Sequence, residues 1–222
     1  MINFPAICVD NFYSEPDKVR EWALSLDYKP APNGQWPGKR SEKLHLVDPT
    51  FFDNFCKKVF SLYFDVDRND INWVMHTQFQ LIEPFDQDKN SKKNTGWVHY
   101  DDDDIFGGLI YLTPEIDPAC GTSIFQQREP LPFDIKGKTT KESFYKTGSS
   151  ENYDDVLTEH NSVFDETIRY NNVYNRLISF DGVTAHKANS FYTEIPRLTQ
   201  VFFVDKIDIT CKWPIARHKD YL

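Results

Sequence analysis

Between Ile71 and Leu81 the chain switches to a period of two. Ile71, Trp73, Met75, Thr77, Phe79 and Leu81 alternate with Asn72, His76, Gln78 and Gln80. Side chains of an extended segment point alternately to opposite faces, so this pattern requires a strand with one buried and one polar face. Before it the spacing is helical. Val19, Trp22, Ala23 and Leu26 follow Ser14, Pro16 and Asp17, which predicts a helix with a capping-box variant at Ser14 and Pro16 in its first turn. A second helix is predicted from about Pro49 to Phe64, with Phe52, Phe55, Val59 and Leu62 on one face. After residue 81 short strands are predicted at 106–112, 123–126, 167–171, 175–181, 184–190 and 197–205. Helices first and many short strands afterwards predict a mainly β fold with flanking helices, a double-sheet β-roll of the double-stranded β-helix, jelly-roll or cupin-like kind. The 222 residues suffice for one domain with a full core, so 1–222 reads as a single domain, with helical support over about 1–65 and the β-roll core over about 70–206.

Composition narrows the function. A net charge of -9 argues against general nucleic-acid or anionic-membrane binding, which needs clustered Lys and Arg, and slightly favours a neutral or basic substrate. Cys8, Cys56, Cys120 and Cys211 are scattered and form no metal-binding pair, as expected of reduced thiols. The opening Met1-Ile-Asn-Phe-Pro carries no secretory pattern, and no apolar run approaches the ~20 residues that span a bilayer. A cytoplasmic protein is expected. Residues 29–42, rich in Pro and Gly, and the polar stretch 127–165, with a short helix near 150–160, read as long loops that would wall a site and set its specificity.

Two segments carry chemistry. Trp97-Val-His99-Tyr-Asp101 leads into the strand ending Gly107-Gly-Leu-Ile-Tyr111-Leu, and Phe180-Asp-Gly-Val-Thr-Ala-His186 precedes Arg197-Leu-Thr199. On a strand, the one-residue spacing sends His99 and Asp101 to one side and Tyr100 to the other. With His186, which is 186 − 99 = 87 positions on, they make two imidazoles and a carboxylate, the facial ligand set of a non-haem Fe(II) centre with open positions. Asp103 is the register alternative to Asp101; Asp102 to Asp104 otherwise face solvent or orient the site. Arg197 is a clamp for an acidic co-substrate. Gln78, Gln80, Trp97 and Asn189 are within reach of a pocket, though packing or surface roles suit all four. His45, His76, His160 and His218 fall outside any ligand spacing.

The ordered set His99-Tyr-Asp101, Ile110-Tyr111-Leu112-Thr113, Gly121-Thr122-Ser123-Ile-Phe125, Arg176-Leu-Ile-Ser-Phe180, His186 and Arg197-Leu-Thr199 resembles the 2-oxoglutarate- and Fe(II)-dependent dioxygenase superfamily, nearest its prolyl-4-hydroxylase-like branch. The resemblance implies Fe(II) on His99, Asp101 and His186. It also implies 2-oxoglutarate on Arg197, Thr199 and Tyr111, and O2 as oxidant. The implied reaction is hydroxylation of a peptide or small-molecule substrate with release of succinate and CO2. A carboxylate at position 101 argues against halogenation. Two other readings stay open: a cupin-type metal enzyme without 2-oxoglutarate, which leaves Arg197 unexplained, and a non-catalytic β-roll that binds a partner.

Overall fold

The alternating segment forms β4 (Ile71–Ile82), which pairs along its length with β10 (Arg197–Ile209), Phe79 opposite Gln200 and Thr77 opposite Phe202. This is a computed structural model, and it describes residues 2–101, 103–131 and 134–219. Asp102 and the side chain of His218 lie outside the described part. On the other side of β10 come β5 (Phe106–Tyr111), β8 (Leu177–Asp181) and β1 (Ile7–Val9). Beyond β4 lie the two-residue strands β3 (Lys39–Arg40) and β2 (Lys29–Pro30), completing a seven-stranded sheet. A second sheet holds β7 (Phe164–Tyr170), β6 (Thr122–Gln127) and β9 (Ala185–Ala188) in that order. The strand pairings within both sheets are antiparallel.

The two faces of the large sheet have different work. Phe79, Phe106, Ile110, Leu198 and Phe202 pack outward against α1 (Pro16–Leu24) and α3 (Pro49–Ser61), with Phe55 edge-on to Phe202 at 5.5 Å and Trp22 edge-on to Phe79 at 5.4 Å. Burying each such ring contributes about 1.5–3 kcal/mol. The inward face carries Tyr111, Ile178 and Phe180, which meet Ile124 of the small sheet. The result is the expected mainly β roll with helices outside, a jelly roll. Along β10 the register leaves Arg197, Thr199, Val201 and Phe203 lining the space inside the roll.

Local expectations fared unevenly. Asp48 caps α3, its side chain accepting from the Phe51 N–H at 2.9 Å. A short helix, α2 (Leu44–Val47), precedes it unpredicted. The helix cap expected at Ser14 is absent: Glu15 is the N-cap, makes no side-chain cap bond, and pairs with Lys18 instead. The largest correction concerns 127–165. It is not chiefly loop but holds α4 (Asp134–Thr147) and α5 (Tyr153–Ser162). Their stability comes from tertiary packing, which propensity does not register. Phe144 stacks on Tyr153 at 3.8 Å, and with Val156 and Leu157 they cover Trp97.

Candidate metal centre

His99, Asp101 and His186 converge, with one ligand atom from each lying within 4.8 Å of the others. The strand expected to carry the first two is reduced to a single bridge. His99 and His186 exchange both backbone hydrogen bonds, at 3.0 and 2.9 Å. Residues paired in this way project side chains to the same face, which sets the imidazoles 4.4 Å apart. Two residues on, the Asp101 N–H donates to the Gly182 carbonyl at 3.0 Å. Gly182 is required there, because a Cβ would sit 1.9 Å from the Asp104 carbonyl oxygen and 2.7 Å from that of Asp101.

The ring orientations suit a cation. His99 Nδ1 donates to the Trp97 carbonyl and His186 Nδ1 to that of Thr184, both at 2.9 Å. A carbonyl can only accept, so each Nδ1 carries a proton, and in the neutral ring it is Nε2 that has the lone pair a metal takes. Those lone pairs face Asp101: His186 Nε2 lies 3.5 Å from Oδ2, and His99 Nε2 3.8 Å from Oδ1. Ligands at right angles around an ion at ~2.1 Å stand about 3 Å apart, so a small contraction would close this set on one metal. Burial against the cavity walls, then the neighbouring His186, pushes His99 down to about 3, with Asp101 opposing. The ring is 41% exposed, toward the cavity it lines, and remains neutral near pH 7.

Sequence reasoning missed the residues that hold the ligand segment. Asn161 of α5 accepts from the Val98 N–H at 2.9 Å and donates to the Gly96 carbonyl at 3.0 Å. His160 bonds the Val98 carbonyl through Nε2 at 2.7 Å and packs on Trp97. Neither position carries a spacing signal, since both act from a helix, 62 and 63 positions beyond Val98.

The cluster opens on a cavity of about 540 Å3. Arg197 lies deep in it, 3% exposed, its Nε and Nη2 without partners among the described residues. Among the described residues no carboxylate pairs with it: burial lowers its pKa, against the pull of Tyr111 and Cys120. The Thr199 hydroxyl, on the same face of β10, is buried and unpartnered too. Tyr111 is fully buried; its hydroxyl donates to Thr122 Oγ1 at 2.9 Å, and its ring centroid lies 5.5 Å from the Arg197 guanidinium. Thr122, not Tyr111, lines the cavity.

Gln80 and Trp97 also line the cavity while being held by other groups, Gln80 Nε2 donating to the Pro37 carbonyl and Trp97 Nε1 to the Tyr153 hydroxyl. Gln78 donates to the Ser41 carbonyl, and the buried amide of Asn189 has no partner among the described residues. His76 reaches the cavity rim, beside Asp205 at 3.4 Å. Asp103 is exposed on that rim, and among the described residues of the acidic run Asp101 alone joins the cluster.

The cavity thus brings together a buried guanidinium, two imidazoles and a carboxylate. The chain belongs to a family of unknown function, DUF6445, whose model matches residues 3–190. No curated protein matches it. Among solved structures it is similar to HygX from Streptomyces hygroscopicus with nickel and 2-oxoglutarate bound, at 11% identity and TM-score 0.53, covering 90% of this chain and 82% of that one. EvdO2 from Micromonospora carbonacea var. aurantiaca matches at 12% identity and TM-score 0.53, covering 94% and 90%. A prolyl hydroxylase in complex with a hypoxia-inducible-factor peptide from Trichoplax adhaerens matches at 11% identity and TM-score 0.50, covering 90% and 82%. What the chain shares with these structures is the fold.

Proposed function

We propose that the protein is an Fe(II)- and 2-oxoglutarate-dependent oxygenase that hydroxylates a peptide side chain or a small molecule. The unpaired guanidinium of Arg197 carries this reading. An isolated charge is expensive to bury, so a cavity that keeps one without a counter-ion is complete only when an anion enters. The His99, Asp101 and His186 set alone fits any metal enzyme of this fold; Arg197 and Thr199 add the demand for a carboxylate at a fixed distance from the metal. HygX, which holds a metal and 2-oxoglutarate on the same fold, supports that choice.

His99, Asp101 and His186 would hold Fe(II), which with 2-oxoglutarate supplies activation of O2 and release of succinate and CO2. The residues of the chain prepare that chemistry. The Nδ1 bonds to Trp97 and Thr184 keep both Nε2 atoms free as ligands. Arg197 offers a two-donor edge to the far carboxylate, with the Thr199 hydroxyl as a third donor. Tyr111, tied to Thr122, backs this end of the cavity. Phe180, 4.3 Å from His186, and Trp97 exclude water from the ligand side.

The test is anaerobic addition of Fe(II) and then 2-oxoglutarate, followed by air. The expected results are a charge-transfer absorption in the green and succinate formation. Iron binding with no response to 2-oxoglutarate would favour the cupin-type reading, and no response at all the non-catalytic one.

A further inference from the structure

The two segments without a readable motif, 29–42 and 127–165, meet over the cavity. They touch at Gly34, which has φ +73° and where a Cβ would lie 2.0 Å from the Glu142 carbonyl oxygen of α4. The first segment brings Arg40 of β3 to the lining, and the second brings Lys141 and the exposed Lys138 of α4. The Arg40 guanidinium lies 4.4 Å from the Trp36 ring centroid and 5.3 Å from that of Phe203. These rings hold it in place without neutralising it. Its one side-chain hydrogen bond among the described residues is long, Nη2 donating to Gln80 Oε1 at 3.5 Å, and its Nε is buried without a partner.

Lys141 is half-buried, and among the described residues its ammonium has no hydrogen-bond acceptor and no carboxylate within 4.0 Å. The carboxylates on the same lining, Asp101, Asp103, Asp104 and Glu142, form no ion pair with either cation among the described residues. Burial disfavours both charges: it pushes Arg40 down to about 10 against the pull of Asp101 and Asp104, and lowers Lys141 against Glu142 and Asp101. Two partly desolvated cations with unused donors on one cavity have the same incompleteness as Arg197, on the side where a substrate would enter.

We infer that Arg40 and Lys141 form a second anion subsite, which recognises a carboxylate or phosphate on a small-molecule substrate and orients that molecule over the metal. The inference rests on reading the cavity as an oxygenase pocket whose deep end Arg197 gives to 2-oxoglutarate. A planar guanidinium edge with a mobile ammonium beside it suits an oxyanion, one offering a fixed fork and the other a point charge. The net charge of -9 points toward neutral or basic substrates, but a substrate meets the local charges of the cavity, where these two cations stand without an ion pair among the described residues.

The test separates this subsite from the co-substrate site. In metal-free Arg197→Ala protein the deep anion site is gone, so calorimetric titration with inorganic phosphate and with acetate reports only the second one. Saturable binding is expected, weakened at least tenfold by Arg40→Gln and by Lys141→Gln; the anion that binds tighter identifies the group. No binding to the Arg197→Ala parent, or binding that neither substitution alters, overturns the inference. The same titrations on otherwise unmodified protein saturated with Mn(II) and 2-oxoglutarate give the answer if Arg197→Ala folds poorly. Failure of that protein to bind 2-oxoglutarate would refute the oxygenase reading while the metal-free titrations still decide the subsite.

Discussion

Arg197→Ala separates a residue kept for binding from one kept for folding. Arg197 is 3% exposed, with two unpartnered nitrogens and no carboxylate to balance it. Without ligand, its removal relieves an unsatisfied buried group, worth about 1–3 kcal/mol, and forfeits the packing of about three methylenes, roughly 2.4 kcal/mol at ~0.8 each. The two nearly cancel, so the metal-free protein should melt within about 5 °C of the unaltered one, at ~2–4 °C per kcal/mol for a chain of this size. Binding has no such compensation. Losing one partner of a desolvated charge pair costs about 2–5 kcal/mol, a drop in 2-oxoglutarate affinity of roughly 30-fold to several thousand-fold. Calorimetric titration of 2-oxoglutarate into Mn(II)-loaded protein, beside a thermal melt without ligand, measures both. A change in Kd below fivefold refutes the clamp; a variant that has unfolded shows instead that Arg197 is structural.

Asp101→Ala should abolish stoichiometric Mn(II) binding in calorimetry while the circular dichroism spectrum stays intact; retained binding would remove Asp101 from the ligand set. Asn161→Ala, which unpins Val98 and Gly96, should weaken Mn(II) affinity about tenfold, the lower end of what ligand-supporting residues contribute. Asp104 tests pH dependence: burial, then Asp205 and Asp101, push its carboxyl up to about 7 from an ordinary 3.8. The stability its proton contributes is complete below pH 3.8 and lost as pH rises through 7. Asp104→Asn should therefore raise the metal-free Tm at pH 8 and leave it unchanged at pH 3.5; equal shifts at both would disprove the assignment. Gly34→Val forces a side chain into positive φ against Glu142 and should cost about 1–3 kcal/mol, read as a fall in urea midpoint.

Much of the β-roll was legible because its signal is local. β4 announces itself by alternation, and His99, Asp101, His186, Arg197 and Thr199 come together as their spacing implies. The same reasoning missed α4 and placed α5 only as a short helix near 150–160. Their polar sequence has no strong apolar period, and what makes them helices is contact between Phe144, Tyr153 and Trp97, distant in sequence. Tyr111 shows a second limit. The resemblance implies a hydroxyl aimed at the co-substrate, but it meets Thr122 across the interior, a partner set by β5 and β6 facing one another.

Period and spacing along one chain dictate which side chains share a side, so the order of residues alone predicts the roll of short strands and sets an arginine two residues before a threonine on one strand face. Packing in three dimensions buries Arg197 with no counter-ion among the described residues, has α5 pin the segment before His99, and brings Arg40 and Lys141 to one cavity. Burial and the lack of a partner depend on every segment packed around a group, and no window along the chain contains them.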